Sequence, residues 1–246
     1  MPYKNIFILI VAMLFAPYLE PWSFFGSSSE PQIPMQQVKT ITIMLDPAGD
    51  SCNPGRTIED HYERGITLMC AQQIKQLLES RAPRVHVLIT RSAGETDEPE
   101  LFQNISFANK TQVNLYISLN FFYTPEEKSK IWIYYLLYNP VTDYWDKKQD
   151  TLSFHPYNTV HSLFLDSTKQ VGLQMLDSLK KSGKQSYLLP QGLFGLPFRP
   201  LAGVNSCALA CEISLHKKNS WKNVVEPLVF AIESTLAILE AKASMT

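Results

Sequence analysis

The side chains able to do chemistry are few and widely spaced: the turn Asp46-Pro47-Ala48-Gly49-Asp50, then Glu63, Asn120 and Glu212. Glu212 is the most informative of them. It ends the run Ser206-Cys207-Ala208-Leu209-Ala210-Cys211, where a solvated charge is out of place. A carboxylate withdrawn from water is costly unless it is paired, bound to a metal or protonated. The plain alternative is a glutamate at a strand end that reaches solvent. Two carboxylates at one edge, Glu63 and Glu212, are a minimum set for proton transfer to and from a reacting group.

Such residues need elements that bring them together. Val38 to Leu45 (VKTITIML) is a short β-branched run broken by the Asp-Pro turn, which predicts a buried first strand. Ile58 to Ser80 begins polar and then repeats apolar residues at Ile66, Met69, Cys70, Ile74, Leu77 and Leu78, the period of an amphipathic helix. Val85 to Thr90 and Val113 to Leu119 read as strands, with a short helix at Pro99 to Asn109 between them. Ile131 to Tyr138 is aromatic-rich and strand-like, and Asp143 to Pro156 is irregular. Thr159 to Ser182 returns to helical spacing and stops at Lys180-Lys181-Ser182-Gly183. Val204 to Leu215 is an apolar strand, and Ser220 to Ala241 a closing helix with Pro227 in its early turns.

Strands alternating with helices predict a single α/β domain over residues 38–242, with a largely parallel twisted sheet and helices on both faces. Ligands of such sheets bind beyond the carboxyl ends of the strands. That edge would carry Asp46, Asn120 and Glu212, and Glu63, at the start of the first long helix, would return to it.

In this order the segments resemble the zinc-dependent N-acetylmuramoyl-L-alanine amidases of the amidase type 3 family. The likeness runs through Ile43-Met44-Leu45-Asp46-Pro47, Glu63-Arg64-Gly65-Ile66-Thr67-Leu68 and Val87-Leu88-Ile89-Thr90-Arg91. It continues in Phe107-Ala108-Asn109-Lys110 with Asn114 to Asn120, and ends in Leu209-Ala210-Cys211-Glu212-Ile213-Ser214. The resemblance implies that fold, peptidoglycan as partner and zinc as cofactor. It makes Glu63 the metal-binding glutamate and Glu212 the catalytic one. In the family's chemistry a zinc with an open position lowers the pKa of bound water towards about 7.

Both histidine ligands of the family pattern are missing. Gly49 stands where the first belongs and Asn120 where the second belongs. Glycine offers no ligand, and a neutral amide is a poor one for zinc. Zinc retention would need a substitute, for which Asp50 is best placed. The resemblance then implies either a non-catalytic, peptidoglycan-associated module or an amidase working through a rewired metal site. A metal-free hydrolase using Glu63 and Glu212 as an acid/base pair is a third reading. Replacing Gly49 and Asn120 by histidine is expected to restore zinc binding if the frame is intact.

Other features are less specific. Phe121-Phe122-Tyr123 and Trp132 to Tyr138 read as sheet core or as a platform for sugar faces. His61 reads as a surface residue, His86 and His216 as structural or solvated, and His155 and His161, six apart, fit no helical ligand pair. Cys207 and Cys211 lie about 13 Å apart at strand rise, too far to bridge each other. A bridge from Cys52 or Cys70 stays open, as do four free thiols.

The totals set the outer limits. The chain has 246 residues, of which 45% are hydrophobic and 18% charged, enough to fill the core of one large domain. With 22 basic against 23 acidic side chains it lacks the basic excess of a nucleic-acid binder. Lys4 followed by the apolar run Ile6 to Ala16 predicts an export signal or membrane anchor over residues 1–20, with residues 5–16 as its apolar part. That run falls short of the ~20 residues that span a bilayer as a helix. Pro17, Pro21 and Ser27-Ser28-Ser29 predict a linker over residues 21–37. The chain is therefore expected to be exported, periplasmic or envelope-associated, and to touch membrane only through its N-terminal segment.

Overall fold

Odd and even residues part company along strand β1 (Ile41–Pro47): Ile41, Ile43 and Leu45 enter one apolar cluster and Met44 the other. The computed structural model describes residues 40–94, 102–137, 159–181 and 187–243. After β1 comes a two-rung hairpin, β2 (Thr57–Ile58) and β3 (His61–Tyr62), which leads into helix α1 (Glu63–Arg81). Strand β4 (Val85–Ile89), helix α2 (Gln103–Lys110), β5 (Leu115–Tyr123) and β6 (Ser129–Leu136) follow. Helix α3 (Leu165–Lys181) precedes β7 (Leu188–Leu196) and β8 (Cys207–Leu215), and α4 (Lys222–Glu233) and α5 (Leu236–Ala243) close the domain.

Six strands form one sheet in the order β4-β1-β5-β8-β6-β7. β1 is parallel to β4 and β5, and β5 to β8; β6 runs antiparallel to β8 and parallel to β7. This is the predicted single α/β domain with a mostly parallel sheet. The central strands are buried on both sides, which is why they read as almost unbroken apolar runs. Their odd-numbered residues, such as Leu115, Ile117, Leu209 and Ile213, join side chains of α1, α3, α4 and α5 in the larger core. The even-numbered face is covered differently. Short pieces pack on it among the described residues: α2, through Ile105 and Ala108, and the 3-10 turn Arg199–Leu201 against Met44, Tyr116, Ala208 and Ala210, with His161 of the 3-10 turn Val160–Phe164 beside Leu136 and Ala208.

Several elements differ from the sequence reading. No element is expected from sequence between Gly183 and Val204; β7 lies there, with Pro190, Gly192 and Gly195 in it, and is an edge strand, where a missing N–H is tolerated. A bulge opposite Ile131 and Trp132 absorbs its extra residue. β5 continues to Tyr123, so Asn120 lies inside a strand. The closing helix is two helices. Its break falls at Ser234 and Thr235, whose hydroxyls donate to Ala231 O and Ile232 O at 2.7 Å each and compete with the helical ladder. Pro227 sits inside α4 without ending it. The predicted signal or anchor, the linker and the irregular stretch at Asp143 to Pro156 lie outside the described residues. Among the described residues no helix is long and apolar enough to cross a membrane.

Candidate functional site

Register brings the predicted residues onto one face. Asp46 pairs with Ser118, Asn120 with Glu212, and Glu212 with Trp132. All are even-numbered, so the period of two aims them at the thinly covered side.

Asp46 is tied into the sheet. Its Oδ1 accepts from Thr90 Oγ1 (2.7 Å) and Asn104 Nδ2 (2.9 Å), and its Oδ2 from the Tyr116 hydroxyl (2.6 Å). Burial pushes its carboxyl above the ordinary value of 3.8, against the opposing pull of those three donors and of Arg91. Just beyond, Arg91 Nη2 donates to Ala48 O at 3.1 Å and to Arg64 O at 2.6 Å, and Thr67 Oγ1 donates to Ala48 O at 2.8 Å. The loop after β1 is thus clamped to the start of α1.

That clamp explains Gly49. Its φ is +83°, and a Cβ there would lie 2.7 Å from Arg64 Cβ and 3.0 Å from Pro54 O. Any L side chain is strained at that φ, and here it also meets atoms that cannot swing away. Asp50 is spent on its own turn, with Oδ1 accepting from Cys52 N (2.8 Å) and Asn53 N (2.6 Å).

Glu63 opens α1 and is 3% exposed. Its Oε1 accepts from Phe121 N at 2.6 Å and its Oε2 from Arg56 N at 3.0 Å, so it staples the 50s loop to β5. The chain passes so close to it that a Cβ on Gly55 (φ +79°) would lie 2.7 Å from Oε2. Glu212 is partly exposed and accepts from Arg56 Nη2 at 3.0 Å. The same guanidinium lies 5.7 Å over the Phe122 ring. Burial lowers the pKa of Arg56, but the hydrogen bond and charge of Glu212, with the charge of Glu63, more than offset it and leave it raised. Asn120 Nδ2 donates to Ser118 Oγ at 3.2 Å.

A cleft of about 260 Å³ opens beside these groups, lined in part by Asp46, Gly49, Asp50, Asn104, Ser118 and Asn120. Neither Glu63 nor Glu212 lines it. On the other side of Glu212 the face turns aromatic. Phe122 and Trp132 stand 5.7 Å apart, and Tyr134 contacts Phe194 and stacks on Phe198, each at 5.9 Å. The aromatic segments therefore divide by parity, Phe121 into the core and Phe122, Trp132 and Tyr134 onto the site face. Tyr138 lies outside the described residues.

The structure brings Asp46, Asn120, Glu63 and Glu212 to one edge. The histidines are elsewhere. His61 is exposed and bonded to Asp60 at 2.8 Å, His86 is exposed on β4, and His161 is buried in a 3-10 turn. His155 is outside the described residues. The four cysteines are free, with Cys52 exposed and the others buried; burial raises the Cys211 thiol to about 12. Among the described residues no group of three or more His, Cys, Asp or Glu side chains is placed to hold a metal ion. Sequence reasoning missed Arg56. The signal was there in principle: two carboxylates off water at one edge call for a cation, and Arg56 lies between the Asp-Pro turn and Glu63.

Comparison with known proteins agrees with this fold. The family model for N-acetylmuramoyl-L-alanine amidases of type 3 matches residues 43–186 and stops short of β8 and Glu212. Among solved structures, the amidase AmiC2 of Nostoc punctiforme aligns with a TM-score of 0.57 at 12% identity, over 80% of this chain and 97% of its own. The amidase Ami1 of Mycobacterium smegmatis aligns at 0.53 and 17%, over 83% and 99%. The catalytic domain of the amidase CwlV of Bacillus (Paenibacillus) polymyxa var. colistinus aligns at 0.53 and 14%, over 81% and 99%. At such identities these three speak for the fold. No curated protein matches the chain.

Proposed function

The chain belongs to the type 3 family of N-acetylmuramoyl-L-alanine amidases, and from that membership we propose that it is an exported envelope protein that associates with peptidoglycan without hydrolysing it through zinc. The N-terminal apolar run of residues 5–16 and the linker to residue 37 support export; residues 38–242 are the amidase-like domain.

The observation that carries the reading is the backbone at Gly49. The family pattern needs an imidazole there, and here the chain is folded so that even a Cβ collides with Arg64. The rest of the donor set is no better suited to zinc. Asn120 offers an amide, which is a poor ligand for a borderline-soft cation. Both oxygens of Glu63 face backbone N–H groups, and Oδ1 of Asp50, the nearest substitute, is held by two amides of its own turn. These residues do not fit the metal. What remains is a face with a polar cleft at one side and half-buried aromatic rings at the other. Such a surface suits recognition of a sugar or peptide better than activation of water.

Two measurements on the purified chain test this. The first is zinc content by elemental analysis after refolding with zinc. The second is co-sedimentation with murein, alongside assay for released stem peptide. Binding without release and without stoichiometric zinc is expected. Stoichiometric zinc together with release would show an active amidase with a rewired site, and absence of binding would remove peptidoglycan as the partner.

A further inference from the structure

We infer that Arg56 is a resident cation of this site: its guanidinium is the counter-ion of Glu212, its backbone N–H holds Glu63, and together they disfavour zinc there. The inference rests on the zinc-free reading above and gives it a cause. One residue reaches both carboxylates, through its backbone N–H to Glu63 Oε2 and its side chain to Glu212 Oε1, each at 3.0 Å. Its face is held 5.7 Å over Phe122, an arrangement that favours a cation. A guanidinium keeps its charge at every pH a protein tolerates, so it is a permanent counter-ion.

The loop is shaped to deliver it. Gly55 adopts φ +79° with no room for a Cβ against Glu63, and only that close pass lets the next residue's N–H reach the carboxylate. A divalent ion approaching the same oxygens would meet N–H donors and a fixed like charge a few ångströms away. The retention of both glutamates beside the loss of both histidines then has a reason. Glu63 anchors the loop and Glu212 receives its cation, and neither task needs a metal.

The test is zinc titration by calorimetry of the full chain, comparing wild type with Arg56→Met, Arg56→Lys and Arg56→Met/Glu212→Gln. Wild type and Arg56→Lys are expected to show no binding at 100-fold excess. Arg56→Met is expected to bind zinc weakly through the freed Glu212 carboxylate, at least tenfold above the detection limit that wild type fails to reach, and the double variant to lose that binding. A folded Arg56→Met that binds zinc no better than a zinc-free wild type overturns the inference and leaves the zinc-free reading standing. Stoichiometric zinc in wild type overturns both. Should Arg56→Met fail to fold, the double variant, which removes the pair together, is expected to recover a thermal midpoint near that of wild type. A double variant as unstable as the single one overturns the counter-ion role.

Discussion

At the scale of single residues the site is governed by which oxygens are already occupied. Glu63 gives one carboxylate oxygen to Phe121 N and the other to Arg56 N while almost fully buried. Glu63→Gln keeps the shape but turns one acceptor into a donor facing a backbone N–H. Leaving a buried donor unpaired costs about 1–3 kcal/mol, so urea unfolding is expected to shift by that amount. A zinc ligand with no structural task would show no such loss. The Gly49→His/Asn120→His pair, expected from sequence to restore zinc, meets the φ of +83° and the 2.7 Å approach to Arg64 Cβ. It is now expected to lower the melting temperature and to leave zinc content unchanged by elemental analysis. Asp46 gives a pH signature. Its folded pKa is raised, so its contribution is fully present below the ordinary value of 3.8 and is lost as pH rises through the raised one. Asp46→Asn does not titrate, and its stability relative to wild type is expected to improve from pH 3.5 to pH 7 in parallel denaturation series. Glu212 was legible because a carboxylate is conspicuous in an apolar run, and Glu63 because it opens a helix whose segment resembles the family's. Arg56 was not, because an arginine in a polar loop looks solvated until the fold sets a carboxylate opposite it.

Elements explain what the sequence pattern made plain and what it hid. β1, β5 and β8 are central strands, and their apolar runs announced them; α1 and α3 followed from helical spacing. β7 was hidden because an edge strand needs neither continuous apolar character nor every N–H, so its prolines and glycines mimic a turn. The split between α4 and α5 was hidden because its cause is two hydroxyls bonding backward, which ordinary helices also contain. Helix and sheet pass close together at Gly172 of α3, where a Cβ would lie 2.7 Å from Leu193 Cδ1 and 3.3 Å from Leu209 Cδ2. Gly172→Val is expected to lower stability by about 2 kcal/mol through overpacking. The neighbouring Leu173, 51% exposed, is a control: Leu173→Ala is expected to stay within about 0.5 kcal/mol. Both are read from denaturation midpoints.

For the whole molecule, one sheet carries the domain, the larger core is built of strand and helix side chains, and among the described residues no group of three or more His, Cys, Asp or Glu is placed to hold a metal. Prolonged dialysis against a chelator is therefore expected to leave the thermal midpoint unchanged, whereas a structural metal would make it fall; scanning calorimetry before and after decides. The parity of the sheet has a wider meaning for descent. Odd-numbered strand positions answer to four helices at once, while the even-numbered positions at Asn120 and Glu212 face a more thinly covered side. Mutational tolerance is accordingly expected to rise at Asn120 and Phe122, the partly exposed even positions of β5, and to stay low at Leu119 and Phe121 between them. A lineage on such a sheet can drift away from catalysis on one side while inheritance of the fold is policed on the other.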